Sequence, residues 1–260
     1  LIQCGLRRLV LCPGSRSGSL ATAAGLLASS GSLQLNTAVD ERSAAFLALG
    51  LATAGGTGVA VVTTSGTAVA NLLPAVVEAD RSSQPLLLIT ADRPLRLKQC
   101  GANQTVNQED FLRPACRWCG VGAPEGLHAM ASSAVLELAA LAWSQAHGLN
   151  QAVDQAVDQA APGPVHLNLP VEEPIHADLA EQQAVLANAV MANDEASLFP
   201  LLPSTTQSNR NAPRLDPSRP GVVIAGPWRG LAKDLTIYQQ AVRSWLLCSG
   251  WPLLADPLAA

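Results

Sequence analysis

The sequence predicts an α/β protein built on an open, doubly wound parallel sheet and followed by the start of a second α/β domain. Three observations predict it. Runs such as "GVAVVTT" (58–64) and "LLLIT" (86–90) are apolar or β-branched throughout rather than at alternate positions, as expected of strands covered on both faces. Each run is followed by a turn bearing small or polar residues and then by a segment of helical composition, the alternation that builds parallel sheets. Charge is also confined to particular places: no Asp, Glu, Lys or Arg lies between Ser43 and Val77, so "VDER" before that span stands out.

The elements follow in order. "LRRLVLC" (6–12) reads as a strand, "PGSRSGS" as a turn and "LATAAGLLAS" as a helix. "LQLNTAV" (33–39) is a second strand, and "ERSAAFLALGLATAGG" a second helix with apolar residues at 46, 47, 49 and 51, ended by Gly55 and Gly56. "GVAVVTT" leads through "SGT" into "AVANLLPAVVEADRS", where Pro74 either kinks the helix or marks a late start. "QPLLLITADRP" (84–94) is a fourth strand that ends in Asp92 and Arg93. The polar stretch after Pro94, "LRLKQCGANQTVNQEDFLRPA", is longer than an ordinary connection, which marks it as functional. A helix over about 129–147 and a strand "GPVHLNLPV" (163–171) complete the first domain, placed at residues 1–178. Residues 179–220, rich in Ala, Gln, Asn, Ser and Pro, read as a linker. A second strand, helix, strand unit occupies 221–260 and is cut off.

Composition narrows the function. A net charge of −4 argues against a nucleic-acid or anionic-membrane surface, and the glycines of "AGGTG" and "TTSGT" break the uncharged span into pieces too short for a membrane crossing. The partner expected is a small molecule or another copy of the chain. The chain starts at Leu1 rather than Met and stops just after a strand, so it reads as a fragment, open to an upstream targeting segment. Six scattered cysteines suit reduced thiols in a cytoplasmic protein. Cys116 and Cys119 have C-x-x-C spacing, but no second pair or nearby His completes a zinc site and no helix opens after them. A packing role is expected. Asp154 and Asp158 in "QAVDQAVDQA" share a helical face and read as a solvated surface.

In an open parallel sheet the ligand sits beyond the carboxyl ends of the strands. The turn "PGSRSGS" offers backbone amides to an anion, and Arg16 adds a fork that can grip a carboxylate or phosphate twice. Arg93 ends the fourth strand. Two arginines at neighbouring strand ends suit a small acidic substrate, although they could equally pair with Asp40 and Asp92. Glu41 stands where the second strand meets its helix, either as an acid that favours the helix start or as a working carboxylate. A Gly-bearing turn and a later acid also suggest a dinucleotide-binding unit, but G-x-G-x-x-G is absent.

Taken together and in this order, "CPGSRSGS", "VDERSAAFLALGLA", "TTSGTAVANLLPAVVEA", "LLLITADRP" and "GANQTVNQ" resemble the N-terminal part of the thiamine-diphosphate-dependent enzymes. Within them they are most similar to the SEPHCHC synthase family of menaquinone and phylloquinone biosynthesis. The resemblance is dense from about Leu9 to Gln108 and thinner beyond, where "GVVIAG" and "GWPLLADPL" fit that family's middle domain. Ser19 departs from the family's usual Pro, and the family's C-terminal domain has no counterpart in these residues.

The resemblance implies an enzyme that decarboxylates 2-oxoglutarate on thiamine diphosphate and transfers the remaining four-carbon unit to isochorismate. It implies that Glu41 activates the cofactor through N1′ of the aminopyrimidine, and that Gly14, Ser65 and Gly66 lie against the cofactor. Ser15, Arg16, Arg93, Asn103 and Gln104 are implied to line the substrate pocket, with Gln104 also orienting a reacting oxygen. Active sites would lie between the chains of a homodimer or homotetramer, with the diphosphate and Mg2+ or Mn2+ on the partner's C-terminal domain. A relative such as an acetohydroxyacid synthase shares the scaffold and the glutamate but does not need the "PGSRS", "TADRP" and "GANQ" set. A non-catalytic nucleotide-binding or interaction module is the alternative outside the enzymes.

Overall fold

The structure is a computed structural model that describes residues 1–149, 161–175, 178–192, 215–228, 235–257 and 259. The repeat holding Asp154 and Asp158 lies outside the described residues. The chain divides into two compact units, Leu1–Leu201 and Leu202–Ala260.

The first unit is built on six parallel strands. These are β1 (Arg8–Leu11), β2 (Gln34–Thr37), β3 (Val59–Thr63), β4 (Leu86–Asp92), β5 (Trp118–Val121) and β6 (Pro164–Pro170). Their order across the sheet is β2-β1-β3-β4-β6-β5, so the chain steps outward from β1 to β2 and then returns to β3 on the other side. The loops leaving β1 and β3 therefore part in opposite directions, which makes this the switch point of the sheet. This is where an open α/β sheet takes its ligand.

Helices α1 (Gly18–Ser29) and α5 (Ser132–Ala146) cover one face of the sheet; α2 (Glu41–Gly55), the single turn α3 (Thr67–Ala70) and α4 (Leu73–Ser82) cover the other. Alternate residues of β3 and β4 serve the two cores: Val59, Val61, Leu86 and Leu88 pack towards α2 and α4, while Ala60, Val62, Leu87 and Ile89 pack towards α1 and α5. All residues of β3, β4 and β6 are buried, which explains the apolar runs of β3 and of the first part of β4.

Helix α2 meets the sheet through its alanines. Ala44, Ala45, Ala48 and Ala52 are fully buried, whereas Phe46 and Leu47 are each 44% exposed. Small side chains let the helix backbone approach the strands closely; of the large apolar residues, Phe46 and Leu47 are turned outward, while Leu49 and Leu51 pack partly buried against the core. Gly56, at φ +61°, closes the helix in the left-handed conformation that glycine adopts without strain. Pro74 stands in the first turn of α4, so the expected single helix is two, and the proline marks a late start rather than a kink.

Two elements were not foreseen. β5 pairs with the far edge of β6, and α6 (Leu179–Ala192) occupies the first part of the segment expected to be a linker. The α6 residues Gln182 and Val185 line a cavity with Ala23, Leu26 and Leu27 of α1, so this stretch packs on the first unit. The second unit has two parallel strands, β7 (Val223–Ala225) and β8 (Leu253–Ala255), joined through α7 (Leu235–Ser249).

Candidate functional site

The polar residues gather beyond the carboxyl ends of β1, β3, β4 and β6. At the switch point the β1 and β3 loops touch. Gly14 lies so close to Thr64 that a Cβ there would collide with the threonine side chain, so glycine is required by close approach.

The loop after β3 carries Ser65, fully buried, and Gly66, at φ +85°. A Cβ on Gly66 would meet Gln104 Cγ at 2.7 Å. Gln104 itself adopts a left-handed backbone, φ +56°, which is unfavourable for a residue with a Cβ. Hydrogen bonds hold it there. Its Nε2 donates to Ser65 O at 2.7 Å, and its own carbonyl accepts from Ser65 Oγ at 3.2 Å and from Arg93 Nη1 at 3.0 Å. Arg93 Nη1 also donates to Ser65 Oγ in a short contact. Ser65, Gly66, Arg93 and Gln104, four of the residues expected in the site, thus form one connected group.

Arg16 is 6% exposed. Its Nη1 donates to Val171 O at 3.0 Å and its Nη2 to Glu173 Oε1 at 3.1 Å, while Nε is buried with no partner. Burial, and then the positive charge of Arg16, pull the Arg93 pKa below the ordinary arginine value, against the pull of Asp92 and Glu173. The two guanidinium groups therefore feel one another. Neither guanidinium pairs with Asp40 or Asp92, although the Arg93 backbone N–H donates to Asp92 Oδ1 at 2.8 Å. Asp40 instead caps α2, its Oδ1 accepting from Ser43 N at 2.7 Å, and Asp92 binds Lys98 Nζ at 2.8 Å.

The capping role of Asp40 separates the charges of "VDER". Glu41 is the first residue of α2, half-buried, where the helix dipole favours a carboxylate. Its charge reaches the neighbouring loop: Cys12, at the end of β1, has its thiol pushed up to about 12 by burial first and then by Glu41 and Asp40. A cleft of about 220 Å³ opens here between Leu11, Pro13, Thr37, Ala38 and Val39. Ser15 and Asn103 are exposed and their side chains stand outside the connected group.

A second cleft, about 180 Å³, is lined by Asp92, Arg93, Lys98, Glu109 and Asn168 among others. It exposes a network that sequence reasoning missed. Lys98 Nζ bridges Asp92 and Glu109, at 2.8 and 2.6 Å, and Asn168 Nδ2 donates to Asp92 Oδ2 at 2.7 Å. Thr90 Oγ1 donates to Asn168 Oδ1 at 2.9 Å and pairs with His166 Nε2 at 2.8 Å. One signal was readable: in "VHLNLP" the polar His166 and Asn168 alternate within an apolar strand, which puts both on one face. Roomier cavities beside α1 are walled mainly by apolar side chains and offer no comparable chemistry.

Cys116 and Cys119 lie beside each other at the start of β5. Cys119 is pulled down to about 5, first by a hydrogen bond from Cys116 and further by His166 and Arg113 against the effect of burial; Cys116 is pushed up. Among the described residues no group of three or more His, Cys, Asp or Glu can hold a metal ion. No described helix is long and apolar enough to cross a membrane.

These strand-end residues suit thiamine diphosphate and a carboxylate-bearing substrate. Glu41 is the acid left over after Asp40 caps the helix, and Arg16 Nε is a buried donor lacking an acceptor.

Residues 1–111 match the family described as thiamine pyrophosphate enzyme, N-terminal TPP binding domain. The chain is 84% identical, over its whole length, to 2-succinyl-5-enolpyruvyl-6-hydroxy-3-cyclohexene-1-carboxylate synthase of Synechococcus sp. (strain CC9902). It is 62% identical over 98% of its length to the synthase of the same name from Parasynechococcus marenigrum (strain WH8102), and 57% identical over 98% to that of Prochlorococcus marinus (strain MIT 9313). It spans 44%, 44% and 43% of those three relatives, so it corresponds to less than half of each. With a six-stranded α/β unit in front and this similarity throughout, residues 1–111 carry the N-terminal TPP binding domain of the thiamine pyrophosphate enzymes, and the whole chain is similar to part of the SEPHCHC synthases.

Proposed function

We propose that the chain supplies the pyrimidine-binding half of an active site that decarboxylates 2-oxoglutarate and transfers the remaining four-carbon unit to isochorismate, a transferase reaction that yields SEPHCHC and carbon dioxide. The observation that carries this reading is the division of labour at the start of α2. Asp40 is committed to Ser43 N, and Glu41, the next residue, stands near enough to Cys12 for its charge to raise that thiol's pKa.

Thiamine diphosphate, when bound, supplies a thiazolium that accepts the electron pair released as a 2-oxo acid loses carbon dioxide. Glu41 would hold a proton against N1′ of the pyrimidine and so set the ring's tautomer. Gly14, Ser65 and Gly66 would lie against the ring. Arg16 and Arg93 would grip carboxylates, for which a planar fork of donors is well matched. Arg93 is anchored through Nη1, and Arg16 Nε still lacks an acceptor. Ser15 and Asn103 extend the pocket outward, and Gln104 reaches it from a backbone held by Ser65 and Arg93.

The exposed Phe46, Leu47, Leu73 and Val77 of α2 and α4 support a second copy packing here, so that the site lies between chains of a homodimer or homotetramer. Mg2+ or Mn2+ and the diphosphate would be held by the C-terminal part of the partner. All six cysteines are free thiols, in keeping with a cytoplasmic setting.

The decisive substitution is Glu41→Gln in the full-length enzyme. It should slow exchange of the cofactor's C2 proton by about two orders of magnitude or more, because general acid–base assistance is lost. Exchange near the parent rate, read by NMR after acid quench, would remove Glu41 from this role.

A further inference from the structure

Gln108 is fully buried, and the reading of the site above gives it no task. Its carboxamide is nonetheless saturated. Oε1 accepts from Gly66 N at 2.8 Å, and Nε2 donates to Ala91 O at 3.0 Å and to Asn168 Oδ1 at 2.8 Å. One acceptor and two donors in a single plane are what these three partners require, and of the side chains of this length only an unionised amide offers them. The orientation of the amide is unambiguous, since a flip would set oxygen against two oxygens and nitrogen against an N–H.

The three partners lie on three different strands or their exits. Gly66 belongs to the loop after β3, Ala91 to β4 and Asn168 to β6. The chain also closes on itself here. Asn168 Nδ2 binds Asp92 Oδ2, Lys98 Nζ bridges Asp92 and Glu109, and Glu109 is next to Gln108 in sequence. From the other side Gln104 holds Ser65 through both its amide nitrogen and its carbonyl. Residues 104–108 therefore clasp the Ser65–Gly66 loop between two glutamines. Because Gly66 N–H is committed to Gln108, it is not available to a ligand, and Gly66 acts by shape.

We infer that Gln108 is a positioning residue: it fixes the Gly66 peptide, through it the Ser65 hydroxyl, and through that the Arg93 guanidinium that Ser65 anchors. This rests on the proposed reading of Arg93 as a substrate-binding group. A displacement of about 1 Å in a group that orients a reactant costs on the order of 100-fold in rate, so a small slackening of this loop is expected to be felt.

The test uses the full-length enzyme with Gln108→Glu, Gln108→Met and Thr90→Val. Deuterium uptake is read over a peptide spanning residues 64–70, and KM for 2-oxoglutarate is measured at pH 6 and pH 8.5. Gln108→Met, which removes the acceptor of the Gly66 N–H, should raise exchange at Gly66 by roughly ten-fold or more, the weight of one buried hydrogen bond, whereas Gln108→Glu keeps an acceptor there and loses the two donations to Ala91 O and Asn168 Oδ1. Thr90→Val, which removes the hydroxyl that donates to Asn168 Oδ1 and pairs with His166 Nε2, should raise exchange at Gly66 a few-fold and covers the case in which a Gln108 variant fails to fold. Gln108→Glu should show a KM raised about ten-fold at pH 8.5 that recovers at pH 6, as protonation restores one donor; Gln108→Met should show no recovery. General destabilisation would not improve on acidification in one variant alone.

Parent-like exchange at Gly66 in Gln108→Met, or in Thr90→Val when that variant does not fold, overturns the inference, as does equal pH recovery in the Glu and Met variants. The exchange measurement needs no ligand. Failure of the parent enzyme to bind thiamine diphosphate would instead overturn the proposed function, and the exchange result would still decide the role of Gln108.

Discussion

Asp92 shows how much of the site rests on single buried charges. It is fully buried at the end of β4, and its carboxylate receives Arg93 N, Asn168 Nδ2 and Lys98 Nζ at 2.7–2.8 Å. A carboxylate in such a place is tolerable only with its donors present. For Lys98, burial lowers the pKa, but hydrogen bonds and charge attraction from Asp92 and Glu109 outweigh it and leave the amine above the ordinary lysine value. The folded state thus holds this proton more tightly than the unfolded state. The stabilisation is complete below the unfolded lysine pKa, near 10.4, and is lost as pH rises through the higher folded value. Lys98→Met should cost about 3 kcal/mol at pH 7, the lower end of the range for breaking a buried pair, since Glu109 is still reached by water. Urea titration at pH 7 and near pH 11 would check both the size and its disappearance in alkali; an unchanged midpoint at pH 7 would show that Asp92 is adequately solvated without Lys98.

Helix α2 depends on one residue at its start. Asp40 is exposed, and its carboxyl is held below the ordinary aspartate value by the Ser43 N–H, with Arg42 assisting. Its capping contribution is therefore present above the unfolded pKa of about 3.9 and fades as pH falls through the lower folded value. Asp40→Ala should lower the Tm at neutral pH, with the gap from the parent closing below about pH 4. Differential scanning calorimetry across that range is the measurement, and a gap independent of pH would mean that Asp40 acts by something other than its charge. The same element shows what the sequence could and could not reveal. Its ends were legible because Gly56 and the "VDER" charges are local signals. Its inward face was not, since both alanines and large apolar residues fit a helix and only packing decides which approaches the sheet. β5 was obscured because its four residues, with Trp118 and Cys119 among them, offer neither an unbroken apolar run nor clean alternation. The clasp around Gly66 was hidden for a further reason: "GANQTVNQ" displays its glutamines, but that Gln104 and Gln108 hold one loop from two sides depends on contacts made across 39 and 42 residues of chain.

At the scale of the whole chain the two units differ in how far they satisfy themselves. In the first, β3, β4 and β6 are buried along their whole length between two helical layers, so their amides open only when the unit unfolds. In the second, the two described strands form a pair of three residues each, every residue of β8 is exposed, and the described part of α7 buries none of its side chains. Ile224 is 75% exposed and Leu247 is 89% exposed, so apolar surface is left in water on both a strand and the helix. A two-stranded sheet with so little covered surface is marginal by itself. Hydrogen exchange on the 260-residue chain should therefore separate the units, with amides of β7 and β8 exchanging at least about 100-fold faster than those of β3, β4 and β6. Peptide-level mass spectrometry under native conditions resolves such a difference, and equal protection would mean that the second unit draws its stability from contacts beyond its own two strands and helix.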